Sequence, residues 1–573
     1  MSHSKGSKPG VEPAERVVIG IAFGNSNSSI AFTIDDKAEV IANEDGDRQI
    51  PTILSYVDGD EYYGSHAKAF LVRNPSNTIA HFRDLLGKEF KAIDPTHCHA
   101  SAHPLDSAGA VSFSVKDKEP DDEPTSLSVT EAATRYLRRL VHSASEYLGK
   151  RVTSAVITVP TDCGDKQREA LTEAVNAAGV EVLQLISDPV AAVLAYDARP
   201  EAVVEDKMVV VADFGGTRSD VAVVASRGGM YTMLATVHDY EFAGVQLDQA
   251  LMDHFAKEFI KKHNTDPRSN PKSLAKLRLE AEATKKALSL GNNAQFSVES
   301  LADGYDFSMT LNRVRYEMLA RGVLAGFNRL VEGAVKKAGL DVLDIDEVIM
   351  CGGTSHTPRI ARNLVDMFPP TTKILAPATS TTAVNPSELQ ARGAALQASL
   401  IQEYEASDIE QSTHPAVTTV SHISNAIGVV AVGPDGEEVF TPVMQAETAA
   451  PARRIVHLGM PKDVGGDFII KIVEGGTHIN VTQPPPKPPV ANGDKANGGD
   501  SDSDDDDDEE EEEEVKRERQ WKVGKRLAEA AVTGVKKGGK VEVTINVAAD
   551  LGVTVTAREV GSKGGVRGTL AAP

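Results

Sequence analysis

The chain has 573 residues, too many for one small core, and at roughly 150 residues per domain it has room for three or four units. Hydrophobic residues at 41% and charged residues at 25% exclude a collagen-like or wholly disordered protein. Thirteen of the 83 acids fall within Asp500–Glu514, so the formal charge of −23 shrinks to −10 for the rest, which argues against a whole-surface nucleic-acid binder.

Residues 1–16 are polar and expected to be flexible, with no apolar signal segment, and no apolar run nears the roughly 20 residues that cross a bilayer. Three cysteines far apart (Cys98, Cys163 and Cys351) exclude a disulfide framework and point to a reducing, cytosolic setting. From Val17 to about Gln402, short β-branched strands alternate with amphipathic helices, the pattern of an α/β fold. Strands are expected at Val17–Phe23, Ala155–Val159, Met208–Asp213 and Glu347–Cys351. A helix is expected over Asp165–Ala178, where Ala170, Leu171, Ala174, Val175 and Ala178 share one face and Gly179 follows as a stop. A second, Lys272–Leu290, is charged over much of its surface. Residues 401–415 form a polar, acidic linker with no strong period. Beyond it, 416–481 carry short strands and turn signals such as Gly433-Pro434-Asp435-Gly436. The stretch at about 484–515, a proline run leading to the acidic run, is low in complexity and expected to be disordered. A strand pair follows, Lys540–Val547 and Val553–Arg558, so 416–573 are expected to make one small all-β domain interrupted by that insertion.

Setting Phe23-Gly24 on Phe214-Gly215 superposes two segments at an offset of 191, VIGIAFGNSNSSIAF (18–32) over VVVADFGGTRSDVAV (209–223). Each is an apolar strand, a turn of glycine and small polar residues, then another strand. Such turns leave backbone N–H groups uncovered, and a nest of these donors binds phosphate oxygens. One copy alone reads as a plain hairpin. Two, in matching places of one α/β region, imply duplicated lobes that grip a polyphosphate across a cleft. VIMCGGTSHTPRI (348–360) adds a strand, a Gly-Gly pair and a helix start, where a nucleotide can lie against a helix N-terminus. Neither a Walker-type GxxxxGKS/T loop nor a GxGxxG fingerprint is in the sequence.

These residues resemble the actin-like ATPase domain of the seventy-kilodalton heat-shock (DnaK-type) chaperones. The motifs come in order: GIAFGNSNSS (20–29), AVITVP…QREAL (155–171), SDPVAAVLAY (187–196), ADFGGTRSDV (212–221), EATKKALS (282–289), CGGTSHTP (351–358) and NPSELQARGAA (385–395). The resemblance implies an α/β fold class with an actin-like, two-lobed nucleotide-binding domain at 17–400. It also implies a small all-β, substrate-binding-like sandwich at 416–573, without the helical lid of such chaperones. Phosphate contacts are implied at Gly24, Asn25, Ser26 and Asn27 in one lobe and at Gly215, Gly216, Thr217 and Arg218 in the other. Adenosine contacts are implied at Glu282, Lys285, Lys286 and Ser289, which share one helical face, and at Gly352, Gly353, Thr354 and His356. The family's catalytic lysine falls on Lys68, and Asp188, Asp213 and Asp220 match positions that hold magnesium-bound water or potassium. ATP is the implied ligand, with Mg2+ as an optional companion.

Three departures from the family pattern matter more. Ala22 stands where an aspartate is usual, a gap the repeat shows too, since Ala22 lies over Asp213. Asn25 and Arg218 stand where hydroxyls are usual. Losing such supporting groups typically costs about 10–100-fold in metal affinity or activity. A guanidinium about 4 Å from a phosphate attracts it by roughly 4 kcal/mol at an effective dielectric near 20, before desolvation. The site therefore reads as one that grips ATP through Arg218 and hydrolyses it little or not at all, with an arginine finger as the competing use of that residue. The family's leucine-rich linker is also missing: four docked leucines would contribute roughly 1.5–3 kcal/mol each, which Glu403–Thr413 cannot match.

This pattern is similar to the Ssz-type subunit of the fungal ribosome-associated complex. The similarity implies a stable heterodimer with a zuotin-type J-domain protein, stimulation of an Ssb-type chaperone on nascent polypeptide at the ribosome, and a β domain completed by a partner strand. The chain is then a non-enzymatic cytoplasmic scaffold. Competing readings are an active ATP-hydrolysing chaperone that cycles on unfolded polypeptide, and a sugar- or polyol-kinase-like enzyme, in which the β domain has no role. Plainer readings stand beside these. Asp188-Pro189 also fits an N-cap followed by Pro at N1, and Lys285-Lys286 a solvated helix face. His97-Cys98-His99 lacks a second ligand pair and reads as a loop, while Cys163 lacks a base partner and reads as a packed thiol. The basic stretch Lys516–Arg526 with Trp521 reads as a partner of the acidic run, with RNA contact as the alternative.

Overall fold

The computed structural model describes residues 16–93, 103–117, 123–199, 202–203, 205–413, 421–432, 438–463, 465–482, 516–562 and 564–571. The expectations for residues 1–15, His97-Cys98-His99, the turn at 433–436 and the insertion at about 484–515 lie outside them. The chain divides into two units, Met1–Thr419 and Val420–Pro573.

In the first unit the sequence repeat extends to whole sheets. One sheet contains β1 (Val18–Phe23), β2 (Asn27–Ile34), β3 (Lys37–Ile41), β4 (Ser154–Val159) and β5 (Glu181–Ser187) in the order β5-β4-β1-β2-β3. A second, among smaller sheets, contains β6 (Lys207–Phe214), β7 (Ser219–Arg227), β8 (Met230–Asp239), β9 (Glu347–Cys351) and β10 (Lys373–Leu375) in the order β8-β7-β6-β9-β10. In both, the first three strands form an antiparallel meander and the fourth and fifth add in parallel on the other side of the first. Strands β1 and β6 are buried along almost their whole length, which explains their unbroken apolar runs. Each sheet packs against its own apolar core, one built around Ile19, Tyr136 and Ile157, the other around Phe214, Phe255 and Phe327.

The helices that matter to the site are α1 (Gly64–Ala69), α2 (Asp165–Ala177), α3 (Asp188–Asp197), α4 (Gly244–His263), α5 (Pro271–Leu290), α6 (Leu389–Ile401) and α7 (Ala406–Thr413). Helix α2 buries Leu171, Ala174 and Val175, and Gly179 follows it at φ 93°. Helix α5 begins one residue before its expected start because the Asn270 side chain caps it, accepting from the Lys272 and Ser273 N–H groups, with Pro271 at the first position.

Within 401–415, read as a polar linker with no strong period, residues 406–413 form helix α7, which docks through a single side chain. Ile409, 4% exposed, sits among Val18, Val156, Leu183 and Ile186. One apolar residue makes no period, yet one fills a socket, and its burial contributes about 1.5–3 kcal/mol.

The second unit is built of antiparallel strands in two four-stranded sheets. Its strands are β11 (Ala426–Val432), β12 (Glu438–Met444), β13 (Ala452–Gly459), β14 (Gly466–Thr482), β15 (Lys516–Val535), β16 (Lys540–Val547), β17 (Val553–Glu559) and β18 (Val566–Leu570). The orders are β12-β11-β14-β15 and β13-β16-β17-β18. Ile427, Val429, Ile470 and Ile472 of one sheet share a core with Val541, Val543, Ile545 and Val555 of the other. The basic stretch Lys516–Arg526 is the start of β15, and Trp521 packs on Phe440 with ring centroids 5.1 Å apart.

Candidate nucleotide-binding site

Each of the two repeated sheets offers the turn between its first two strands. A Cβ on Gly24 would collide with the carbonyl of Asn27, and one on Gly215 would lie 2.7 Å from the carbonyl oxygen of Arg218. Both turns thus close on the residue three positions along, leaving no room for a side chain. The turns also meet. A Cβ on Gly216 would run into Ser26, and Asn25 Nδ2 donates to Thr217 Oγ1 at 3.0 Å. Asn25 Oδ1 in turn accepts from the Asp84 N–H at 3.2 Å. With a donor and an acceptor in one side chain, Asn25 ties the two turns to each other and to the segment behind them.

Helix α4 starts behind the second turn, where the Gly244 and Val245 N–H groups donate to the Gly215 and Gly216 carbonyls at 3.0 and 2.8 Å. Thr354 Oγ1 donates to the Gly215 carbonyl at 2.8 Å, bringing in the turn after β9. There Gly352 has φ 78°, and a Cβ on it would strike Asp213 Oδ1. Gly24, Asn25, Ser26, Asn27, Gly215, Gly216, Thr217, Gly352, Gly353 and Thr354 are therefore gathered from three strand ends. Cradles that any Cβ would fill fit phosphate groups held on backbone N–H donors.

Arg218 departs from its expected part. It is 7% exposed and its guanidinium faces carboxylates. Nε donates to Asp220 Oδ2 at 2.7 Å, Nη1 to Asp162 Oδ2 at 3.1 Å and Tyr240 Oη at 3.2 Å, and Nη2 to Asp162 Oδ1 at 2.8 Å and to Asp220 Oδ1. It is thus not a free cation aimed at phosphates. Desolvation acts to raise the Asp162 carboxyl, but the hydrogen bonds and charge of Arg218 outweigh it and hold the group below its ordinary value. Asp162 and Tyr240 were not legible as site residues. The repeat held a signal for the first, since β4 is the counterpart of β9 and Asp162 lies just past its end, as Gly352-Gly353 lie past β9.

Of the three acids, Asp213 is pushed up to about 8 by desolvation and by the charges of Asp188 and Asp220, and its Oδ2 accepts from Gln390 Nε2 at 2.9 Å. Desolvation raises Asp188 as well. Asp188 is the first residue of α3 and Pro189 the second, so the cap position falls to Ser187. Among the described residues no group of three His, Cys, Asp or Glu is placed to ligate a metal. With Ala22 in place of an acid and both Asp220 oxygens on Arg218, this donor set does not fit a magnesium ion held by the chain's own carboxylates.

Lys68, on α1, donates to both Glu282 oxygens on α5 at 2.7 and 2.8 Å, and Lys286 Nζ is 2.7 Å from Glu282 Oε1. Desolvation opposes ionisation of Glu282, but the two lysines outweigh it and hold the carboxyl well below its usual range. Lys285, expected on the same adenosine face, points elsewhere: its Nζ donates to Asp248 Oδ2 at 2.9 Å and to the Gly244 carbonyl at 3.1 Å, anchoring the start of α4. Ser289 Oγ donates to the Lys285 carbonyl at 3.2 Å. Burial lowers the His356 pKa and favours the neutral ring, whose Nε2 lies 3.2 Å from Ser387 Oγ. Burial likewise raises the Cys163 thiol, consistent with a packed, unreactive group.

The Hsp70 protein family model matches residues 18–454. A heat shock protein 70 homologue of Schizosaccharomyces pombe is 43% identical over 561 residues, 97% of this chain and 96% of its own. The Ribosome-associated complex subunit SSZ1 of Saccharomyces cerevisiae is 42% identical over 555 residues, 96% of this chain and 99% of its own. Heat shock 70 kDa protein 14 of Xenopus tropicalis is 31% identical over 80% of this chain and 88% of its own.

Proposed function

The chain belongs to the Hsp70 family, and from that premise we propose that it is a chaperone subunit that holds ATP with little or no hydrolysis. It acts as a scaffold with a zuotin-type J-domain protein and stimulates an Ssb-type chaperone on nascent chains at cytoplasmic ribosomes. Proteins of the family bind nucleotide, generally with Mg2+. Similarity over 96% of the chain to a protein named as a ribosome-associated complex subunit supports the assignment to such a complex. The observation that carries the proposal is how the groups beside the phosphate turns are tied up. Arg218 occupies Asp220 and Asp162, Asn25 binds Thr217, and Lys68 is held by Glu282. What remains to poise a water are Asp188 and Asp213, both raised by desolvation towards the protonated form.

The second unit supplies a place for the partner. Strand β13 ends its sheet, pairing with β16 on one side and with no strand on the other among the described residues. Its residues alternate half-buried and exposed, and Ile455 is 48% exposed. Such an edge accepts an added strand.

One observation favours the rival reading of an active ATPase: Lys68 is retained, and its partner Glu282 is itself a candidate adenosine contact that bound nucleotide would engage. Single-turnover hydrolysis decides between them. Full-length protein loaded with radiolabelled ATP is followed alone and with a J-domain partner, and the ATP is expected to stay intact in both. Rapid conversion to ADP and phosphate in either would replace the scaffold with an enzyme.

A further inference from the structure

The guanidinium of Arg218 links the two repeats, because Asp162 follows β4 of one sheet and Asp220 lies in β7 of the other. Each carboxylate receives two of its N–H groups, and Tyr240 backs it, with the ring centroid 5.5 Å from Cζ. Two further positions at this end of the site are closed in other ways. Asp213 Oδ2 takes Gln390, Asp213 Oδ1 lies against Gly352, and position 22 presents only a methyl group. A divalent ion needs open carboxylate oxygens, or a shell of waters hydrogen-bonded to them. Here the four oxygens of Asp162 and Asp220 are already committed to a group that keeps its charge at every pH a protein experiences.

We infer that Arg218 replaces the divalent cation at the phosphate end of the site, so that this chain holds ATP without Mg2+. The inference rests on the ATP-holding function proposed above. Without a counter-ion, Asp162 and Asp220 would repel a triphosphate. A tethered guanidinium supplies that counter-ion permanently and at a position independent of ion concentration, whereas a hydroxyl at 218 would leave the acids to recruit a metal. Arg218 is on this account a positioning residue, acting on ATP through the two carboxylates whose charge it offsets in part.

The test is titration calorimetry of ATP into the full-length chain, in Mg2+ and in EDTA, for the wild type, Arg218→Thr and Arg218→Lys. The wild-type Kd is expected to change by less than about 3-fold between the two media. Arg218→Thr is expected to lose about 10–100-fold in EDTA, the range typical for groups that support a metal site, and to recover most of it with Mg2+. Arg218→Lys, which keeps the charge without the fork, should fall between. A wild type that binds only with Mg2+ overturns the inference while leaving the ATP-holding function intact. A wild type that binds in neither medium overturns both. An Arg218→Thr protein as indifferent to EDTA as the wild type also overturns it, and if that variant does not fold, the wild-type comparison decides alone.

Discussion

Asn25 and Thr217 lie 192 residues apart, and one amide hydrogen bond joins their turns. Asn25→Ala leaves the buried Thr217 Oγ1 and the part-buried Asp84 N–H without these partners, which costs about 1–3 kcal/mol. A lower urea midpoint with an unchanged slope for the first unit's transition is the expected readout, and an unmoved midpoint would show that the turns do not depend on the amide. Asp213 makes the opposite kind of prediction, because its carboxyl is raised to about 8 by desolvation and by the Asp188 and Asp220 charges. In an unfolded chain the same group titrates near about 3.9. Between those values the folded form binds more protons than the unfolded one, so this residue's contribution to stability declines as pH rises from about 4 to about 8. Asp213→Asn should therefore gain thermal stability relative to the wild type as pH is raised across that interval, and parallel pH profiles for the two proteins would contradict the assignment. Ala22, Asn25 and Arg218 stood out in the sequence because the internal repeat and the family pattern say what is usual there. What Arg218 touches did not, since Asp162 and Tyr240 lie 56 and 22 residues away and no spacing rule connects them.

Among the elements, strands and long helices were legible because burial on both faces or on one stripe writes a pattern several residues long, as in β6 and α2. Helix α7 has no such pattern. Its only wholly apolar side chain of any size is Ile409, and the socket that receives it is assembled from β1, β4, β5 and the helices α3 and α6, none of them near in sequence except the last. A one-residue anchor should also fail locally. Ile409→Ser forfeits about 1.5–3 kcal/mol of burial, enough to let 406–413 come away while the sheet beneath stays folded. Hydrogen exchange would then quicken by about 10-fold or more for the amides of α7 and stay unchanged for those of β1 and β4. Equal protection of α7 in the two proteins would mean that the helix is held by something other than this side chain.

At the scale of the molecule, two facts fix how the chain should unfold. The first unit carries its apolar clusters under two repeated sheets, and the second carries a separate one between its own two sheets. Cores that share no residues need not melt together, so two calorimetric transitions are expected where a single domain would give one. Every candidate nucleotide contact, from Gly24 to His356, belongs to the first unit, and none belongs to the second. ATP at about 100 times its Kd stabilises whatever binds it by about 2.7 kcal/mol, which moves one transition by about a few degrees and leaves the other in place. The duplicated sheets were visible in the sequence as one offset between two turns, because the turns must present the same backbone to the same ligand. In the β unit the local pair Lys540–Val547 and Val553–Glu559 was legible, while the long strands were not, because their pairing runs between residues as distant as Thr482 and Lys516, on either side of the acidic run. If ATP shifted both transitions equally, the units would be thermodynamically one body, and nucleotide in the first would have a direct route to whatever strand docks on the second.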